Sequence, residues 1–256
     1  MEHKTTVHII GAGVSGLIAA YELEQAGYHP VVFEKQGNCG GRIQTVTVAD
    51  YELDLGFQVL LSAYPLAKKY LDLEALSLRK LQSGAQILVD GKRFLIGDPL
   101  RDWKVLLPTV FSEIGSLTDK LRVLKLNLLL RKKSLDDIFS TPEVSTLDYL
   151  KTFGFSNKII TRFFQPFFAG IFLETGLQTS SRMFEFVYKM FGEGHAMIPQ
   201  RGIGAISEQL KAKLVQTTFK FNCEVQALTD TTITLTNGED ISHQGVIVTS
   251  NAATLI

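Results

Sequence analysis

The chain has 256 residues, 45% of them hydrophobic and 20% charged, the make-up of an ordinary globular protein rather than a disordered or collagen-like one. Lys+Arg and Asp+Glu number 26 each, so no overall field favours nucleic acid as a partner. The two cysteines, Cys39 and Cys223, lie far apart and the five histidines are scattered, a pattern with neither a disulfide framework nor a metal-ligand spacing.

The first residues, Met1 to Thr6, run straight into an apolar strand with no basic region and secretory apolar core, and the expectation is a cytoplasmic protein. No apolar run reaches the roughly 20 residues of a membrane span. The longest, Ile159 to Leu173, is broken by Arg162, Gln165 and Pro166.

Val7 to Ile10 is a β-branched run ending at Gly11, the pattern of a buried parallel strand. From Val14 to Ala26 apolar residues recur at helical spacing, and Gly27 supplies the stop. Pro30 to Phe33 is a second strand closing on Glu34, which completes a βαβ unit. Helical, Leu-rich stretches follow, Leu66 to Leu76, Leu117 to Arg131 and Ser145 to Phe153. A hairpin interrupts them, Ala85 to Val89 and Arg93 to Ile96, turned by Asp90-Gly91. After Pro199 strands return: Phe219 to Leu228, Thr231 to Thr236 before the Asn237-Gly238 turn, and Val246 to Val248 leading to Ser250-Asn251. The implied class is α/β: a Rossmann-like nucleotide-binding domain on a parallel sheet, residues 1–61 and 195–256, interrupted by a mostly helical α+β domain over 62–194.

Gly11-x-Gly13-x-x-Gly16 falls at the switch from strand to helix, with Val14 and Ser15 opening the helix. There the first glycine allows the tight turn, the second lets a pyrophosphate approach, and the third lets helix and strand pack closely. The helix N-terminus presents N–H groups and a positive dipole end to phosphate. Glu34 ends the next strand, where a carboxylate accepts both hydroxyls of an adenosine ribose and repels a 2′-phosphate, although Lys35 beside it blurs that repulsion. This favours FAD or NAD over NADP. Gly40-Gly41-Arg42 narrows the choice. An adjacent glycine pair permits a second close backbone approach, and the arginine brings a planar cation to the pyrophosphate, which at this distance behind Glu34 points to FAD.

Val7 to Arg42 resembles the N-terminal signature of the flavin-containing amine oxidase superfamily, which includes monoamine oxidases, protoporphyrinogen oxidase and phytoene/carotenoid desaturases. "YELDLGFQVLL" (Tyr51 to Leu61) resembles the strand and turn that bring those chains beside the flavin ring, which implies that Gly56, Phe57 and Gln58 line it. "RFFQPFFAGIFL" (Arg162 to Leu173) is similar to a substrate-domain stretch of protoporphyrinogen oxidase and related desaturases. "IPQRGIGAISEQL" (Ile198 to Leu210) is similar to a glycine loop leading into a helix, with Arg201 standing where the family has its first glycine. "NCEVQALT" (Asn222 to Thr229) resembles the strand whose valine, here Val225, contacts the adenine end. The candidate cofactor-binding residues are Gly11, Gly13, Val14, Ser15, Gly16, Glu34, Lys35, Gly40, Gly41, Arg42, Gly56, Phe57, Gln58, Val225 and Ser250. Family members continue beyond a stretch such as "VIVTSNAATL", and the expectation is that these residues are a fragment of such a protein.

With FAD the implied reaction is hydride transfer from a CH–CH or CH–NH bond to the flavin N5, and no catalytic acid, base or nucleophile is named. Ten phenylalanines between Phe153 and Phe191 read either as a well-filled core or as a wide pocket for a tetrapyrrole, a polyene or another apolar substrate. A small-amine oxidase and a non-enzymatic binder similar to Rab GDP-dissociation inhibitors are the rival readings. "LRVLKLNLLLRKK" (Leu121 to Lys133) reads as a solvated helix packed on the core by its leucines, with peripheral membrane contact as the alternative. Arg122, Lys125, Lys132 and Lys133 share an arc of it, with Lys120 and Arg131 opposite.

Overall fold

The computed structural model describes residues 5–56, 59–97, 109 and 112–251. Its elements begin with β1 (Thr6–Ile10), α1 (Val14–Gln25), β2 (His29–Phe33), β3 (Ile43–Val48), β4 (Tyr51–Gly56), β5 (Leu60–Leu61), α2 (Pro65–Tyr70) and β6 (Leu78–Lys80). Next come β7 (Ala85–Val89), β8 (Lys92–Ile96), α3 (Leu117–Lys132), α4 (Leu135–Ser140), α5 (Thr146–Phe153) and the single turn α6 (Asn157–Ile159). A π-helical turn (Ile160–Phe164) leads into α7 (Gln165–Phe172), then α8 (Ser181–Glu193) and β9 (Ala196–Pro199). The chain closes with α9 (Ala205–Ala212), β10 (Thr218–Lys220), β11 (Val225–Leu228), β12 (Thr232–Leu235), β13 (Asp240–Ser242) and β14 (Val246–Val248). Two compact units result, one of Met1–Leu60, Pro65–Arg79 and Met197–Ile256, the other of Leu61–Tyr64 and Lys80–Ala196.

The first unit is built on a four-stranded, all-parallel sheet in the order β10-β2-β1-β14. The short β-branched runs of β1, β2 and β14 suit a sheet covered on both faces. On one face Ile9 and Val32 pack with Ala20 of α1. On the other, Ile10 and Phe33 pack with Val225, Ile233 and Leu235 of the antiparallel sheet β11-β12-β13. Full burial of each such Leu, Ile or Val is worth about 1.5–3 kcal/mol. The hairpin β3–β4 lies beside α9: Gly204 N–H donates to Thr45 Oγ1 (2.8 Å), and Ser207 Oγ donates to the Ile43 carbonyl (3.2 Å).

Two elements differ from the sequence reading. The strand expected over Phe219 to Leu228 is two strands, because Asn222 adopts a left-handed conformation (φ 54°) and turns the chain out of the sheet. Asparagine tolerates that conformation better than most residues. The helix expected over Leu66 to Leu76 stops at Tyr70. The Asp72 carboxylate accepts the N–H groups of Glu74 (3.1 Å) and Ala75 (3.0 Å), and Gln209 clasps the Asp72 backbone. Side-chain bonds of this kind compete with the helical ladder.

The second unit is mostly helical, with the hairpin β7–β8 turned through Asp90 and Gly91, both at positive φ. Serines start its helices: Ser116 and Ser134 form capping boxes with Asp119 and Asp137, and Ser145 accepts from Asp148 N–H. The phenylalanines resolve largely as core. Phe164, Phe168 and Phe184 have no exposure, and Phe155 only 5%. Several neighbouring rings meet edge to face, as Phe164 and Phe184 do at 6.0 Å, and others stack, as Phe153 and Phe155 do at 5.3 Å. In α3 the leucines divide: Leu126 and Leu130 are buried in that core, whereas Leu117, Leu121, Leu124, Leu128 and Leu129 face outward. No described helix is long and apolar enough to cross a membrane.

Candidate cofactor site

The site is assembled where three strand ends meet. At the end of β1 the chain turns at Gly11 (φ 102°) and enters α1 with Gly13 as N-cap. Gly13 has no side chain with which to cap, and Leu17 N–H makes the first α1 bond, to the Gly13 carbonyl at 2.9 Å. The N–H groups of Val14 and Ser15 therefore lie in the first turn, which has no intrahelical acceptor for them. A methyl group on Gly16 would overlap the Gly11 carbonyl oxygen, so this third glycine is what lets helix and strand approach.

Glu34, 7% exposed, is turned into this loop. Its Oε2 accepts the Ala12 N–H at 2.7 Å and its Oε1 accepts the Gln36 N–H at 2.9 Å. A carboxylate has about four lone-pair positions, so two remain for ribose hydroxyls. The segment before Val225 runs alongside: Cys223 N–H donates to the Glu34 carbonyl (2.9 Å) and Asn222 N–H to the Gln36 carbonyl (3.0 Å). Val225 itself is buried at the start of β11, while Lys35 is exposed.

The second glycine pair comes directly against the first turn. Gly40 N–H donates to the Ala12 carbonyl at 2.9 Å, and Gly13 and Gly40 form a parallel bridge. Gly40 and Gly41 sit at φ 130° and 58°, and a methyl on Gly41 would stand 3.2 Å from the Gly13 Cα. Arg42 follows, exposed, with no hydrogen bond or ion pair among the described residues. Gly56 (φ 99°) pairs with Ile43 across the hairpin, packed so tightly on Arg42 that a methyl there would overlap the Arg42 carbonyl oxygen. Phe57 and Gln58 lie outside the described residues.

Thr249, absent from the sequence expectation, supports the turn from the far side. Its N–H donates to the Ile10 carbonyl (2.9 Å), and its hydroxyl lies 2.9 Å from that oxygen and 3.0 Å from the Gly11 carbonyl. Ser250, the residue selected from sequence, follows it with its backbone nitrogen beside Gly11. The available signal was the parallel strand β14, which ends at Val248 and delivers the next residue to the β1 turn. Arg201 is exposed and paired with Glu208 one turn into α9 (2.9 Å), so its charge is balanced locally. Burial pushes the Cys39 thiol up, Lys211 opposing and Glu34 adding to the shift, which leaves it a poor nucleophile.

These residues fit a dinucleotide. A methyl on Gly13 would meet nothing in the protein within 4 Å, so the mouth of the turn is open where a pyrophosphate would approach. The first-turn N–H groups and Arg42 are the donors such a group requires. Among the described residues no group of acidic, His and Cys side chains is placed to hold a metal.

In the second unit a groove of about 600 Å³ is lined by Ile87, Val89, Phe163, Pro166 and Phe167, with the polar Gln86, Thr161 and Arg162 among them. The one carboxylate among the described residues of its lining, the exposed Asp90, is paired with Arg162 at 3.5 Å.

Comparison with known proteins gives this geometry a context. Protoporphyrinogen oxidase 2, chloroplastic/mitochondrial, of Arabidopsis thaliana is 30% identical over 169 residues, covering 64% of this chain and 32% of that protein. The chain thus matches about a third of the length of this relative. Among solved structures, an oxidoreductase from Methanosarcina mazei superposes with a TM-score of 0.70 at 21% identity, covering 95% of this chain and 58% of that one. A Rab GDI from Plasmodium falciparum shares the fold less closely, with a TM-score of 0.57 at 15% identity over 96% of this chain and 66% of that one. The sequence profile described as flavin containing amine oxidoreductase matches residues 14–256. FAD, the cofactor expected from the glycine pair and Glu34, is the cofactor of that group. The chain belongs to the flavin-containing amine oxidoreductase family.

Proposed function

We propose that the chain belongs to an FAD-dependent oxidoreductase that removes hydride from a CH–CH or CH–NH bond of an apolar substrate, with its first unit binding the nucleotide. The observation that carries this reading is the seating of Gly40-Gly41 on the Ala12-Gly13 turn, beside Arg42, which has no partner among the described residues. Val14 and Ser15 N–H groups and Arg42 hold the pyrophosphate, Glu34 the adenosine ribose, and the Val225 segment borders the adenine. Lys35 and Ser250 flank these contacts, and Gly56 brings the chain toward the ring. Bound FAD supplies the hydride acceptor, so the chain's own task is to bind, orient and exclude water.

The apolar substrate class is supported by the groove, where Phe163, Pro166 and Phe167 face Ile87 and Val89 and the one carboxylate among the described lining residues, the exposed Asp90, lies 3.5 Å from Arg162. The likeness to a protoporphyrinogen oxidase makes a tetrapyrrole the first substrate to try. Release of the cofactor by denaturation and its identification by mass test the binding reading. Recovery of no flavin, even after reconstitution, would refute it and favour a binder of the Rab GDI kind. Anaerobic mixing of loaded protein with a reduced tetrapyrrole, a hydrogenated polyene or a small amine tests the substrate class through bleaching of the flavin band.

A further inference from the structure

We propose that His8 and His243 form a pH-operated latch between the two sheets of the first unit. Protonation parts β11–β13 from the parallel sheet and weakens the hold on the adenosine end of the cofactor. Side chains alternate along a strand, so His8 points to the same side of β1 as Ile10, toward β11–β13. Its ring lies 5.7 Å from that of Phe33. From the other sheet, Ile241 of β13 packs into the same core and Ser242 is exposed, which turns His243 inward again. His243 N–H donates to the Thr231 carbonyl (2.9 Å), so the β12–β13 ladder still holds it there. After Gln244 and Gly245 the chain reaches Val246, which pairs with His8 across β1 and β14. The effect on the cofactor rests on the proposed placement of the adenosine beside Val225, whereas the latch does not.

The surroundings suit neutral rings only. The Nδ1 atoms of His8 and His243 are buried and have no hydrogen-bond partner among the described residues. His243 Nε2 stands 3.1 Å from the Thr229 carbonyl, which can only accept, so Nε2 carries the proton and Nδ1 the lone pair. A second proton would bury an N–H without an acceptor and a charge without a counter-ion. No carboxylate among the described residues offsets it. β14 has no titratable side chain. Beside β1, His29 of β2 is bonded to Thr218 (3.1 Å), and Glu34 is turned into the glycine loop. On the antiparallel sheet, Asp240 accepts from the Thr234 hydroxyl on the outward side, and Glu224, Asp230 and Glu239 are exposed. Burial pushes the Cys223 thiol up, which keeps it neutral. The acids of α1 lie across the parallel sheet, on the side of Ile9. Burial holds the His8 imidazole below its ordinary value, and the neighbouring His243 pushes it the same way. For a base with a depressed folded-state value, stability is complete above the unfolded value, about pH 6.5, and is lost as pH falls through the folded one. The strands that then part carry Val225, and the adjoining Cys223 N–H is bonded to the Glu34 carbonyl, so the adenosine end loosens with them.

The test compares wild type with the double variant His8→Gln, His243→Gln at about pH 7.5 and about pH 5.5, on either side of the ordinary histidine value. In flavin-free wild type the urea midpoint should fall with pH, and amide exchange at Ile233 and Leu235 should rise beyond its intrinsic pH dependence. FAD affinity should fall by up to about tenfold per pH unit, the limit for one linked proton. The double variant should lack all three changes. Where the glutamines perturb folding, NMR titration of the wild-type histidines tests the latch without them, and the His8 midpoint should lie lower in the folded chain than in urea. An equal pH response of wild type and double variant overturns the latch, as does a His8 midpoint that folding leaves unchanged. Unchanged FAD affinity beside a responding sheet overturns the coupling to the cofactor. Absence of flavin uptake at either pH, beside pH-dependent exchange at Ile233 and Leu235, refutes the proposed function and supports the latch.

Discussion

The Glu34 carboxylate accepts the Ala12 N–H at 2.7 Å, so the residue that closes β2 also fixes the loop that closes β1. Two tasks read separately from sequence, a phosphate turn and a ribose acceptor, are mechanically one. Replacing Glu34 by Ala leaves the buried Ala12 N–H unpaired, at a cost of about 1–3 kcal/mol. The flavin-free protein should therefore melt lower, and FAD affinity should fall by more than the loss of ribose contacts alone. Glu34→Gln, which keeps one acceptor oxygen, should lie between. Thermal melts of the apo protein with flavin-fluorescence titrations of both variants check the order.

Gly13→Ala and Gly16→Ala separate binding from folding. Gly13 has an extended backbone and an added methyl meets nothing, so its stability should stay within about 0.5 kcal/mol of wild type. FAD affinity should nonetheless drop sharply, because the methyl occupies the pyrophosphate's approach. Gly16→Ala drives a methyl into the Gly11 carbonyl and should lose stability with or without flavin. Equal flavin affinity in Gly13→Ala and wild type would contradict the placement of the phosphates.

Thr249→Val removes a hydroxyl that braces two carbonyls of the turn while keeping the side chain's shape. A loss of about 1 kcal/mol is expected, together with weaker FAD binding. Thr249→Ser should restore both. Urea unfolding and equilibrium dialysis of the three forms decide the point.

Asp119 makes the second unit acid-sensitive. Burial pushes its carboxyl upward, but hydrogen bonds from the hydroxyls and backbone N–H groups of Ser116 and Ser156 outweigh this and hold it at about 2. A folded-state value below the unfolded one means that the stabilisation is present above about pH 4 and is lost as pH falls toward 2. Asp119→Asn should be less stable than wild type at pH 7. The two urea midpoints should converge as pH drops through that window.

Much of this fold was legible because its signals are local. The β1–α1–β2 unit carries its own punctuation in Gly11, Gly13, Gly16, Gly27 and Glu34. The β7–β8 hairpin carries Asp90-Gly91. What escaped depends on partners distant in sequence. Nothing between Phe219 and Leu228 announces that Asn222 will break the strand, because the stabilising bonds come from Glu34 and Gln36. Thr249 looked like the residue before a candidate, and only the parallel pairing of β14 with β1 brings its hydroxyl under the turn. The leucines of α3 showed helical spacing without showing which of them the core of the second unit would take.

The bond from Thr249 to the Ile10 carbonyl spans 239 residues. At about 5–20 residues per second, roughly 10–50 s of synthesis separate the two partners. During that interval β1 can pair with β2, yet its other edge stays open and its glycine turn unbraced. Non-local strand pairing is slow and leaves such edges exposed to aggregation. Flavin binding should therefore be among the last events of folding, acquired only when β14 arrives, and a nascent chain halted before Val246 should hold none.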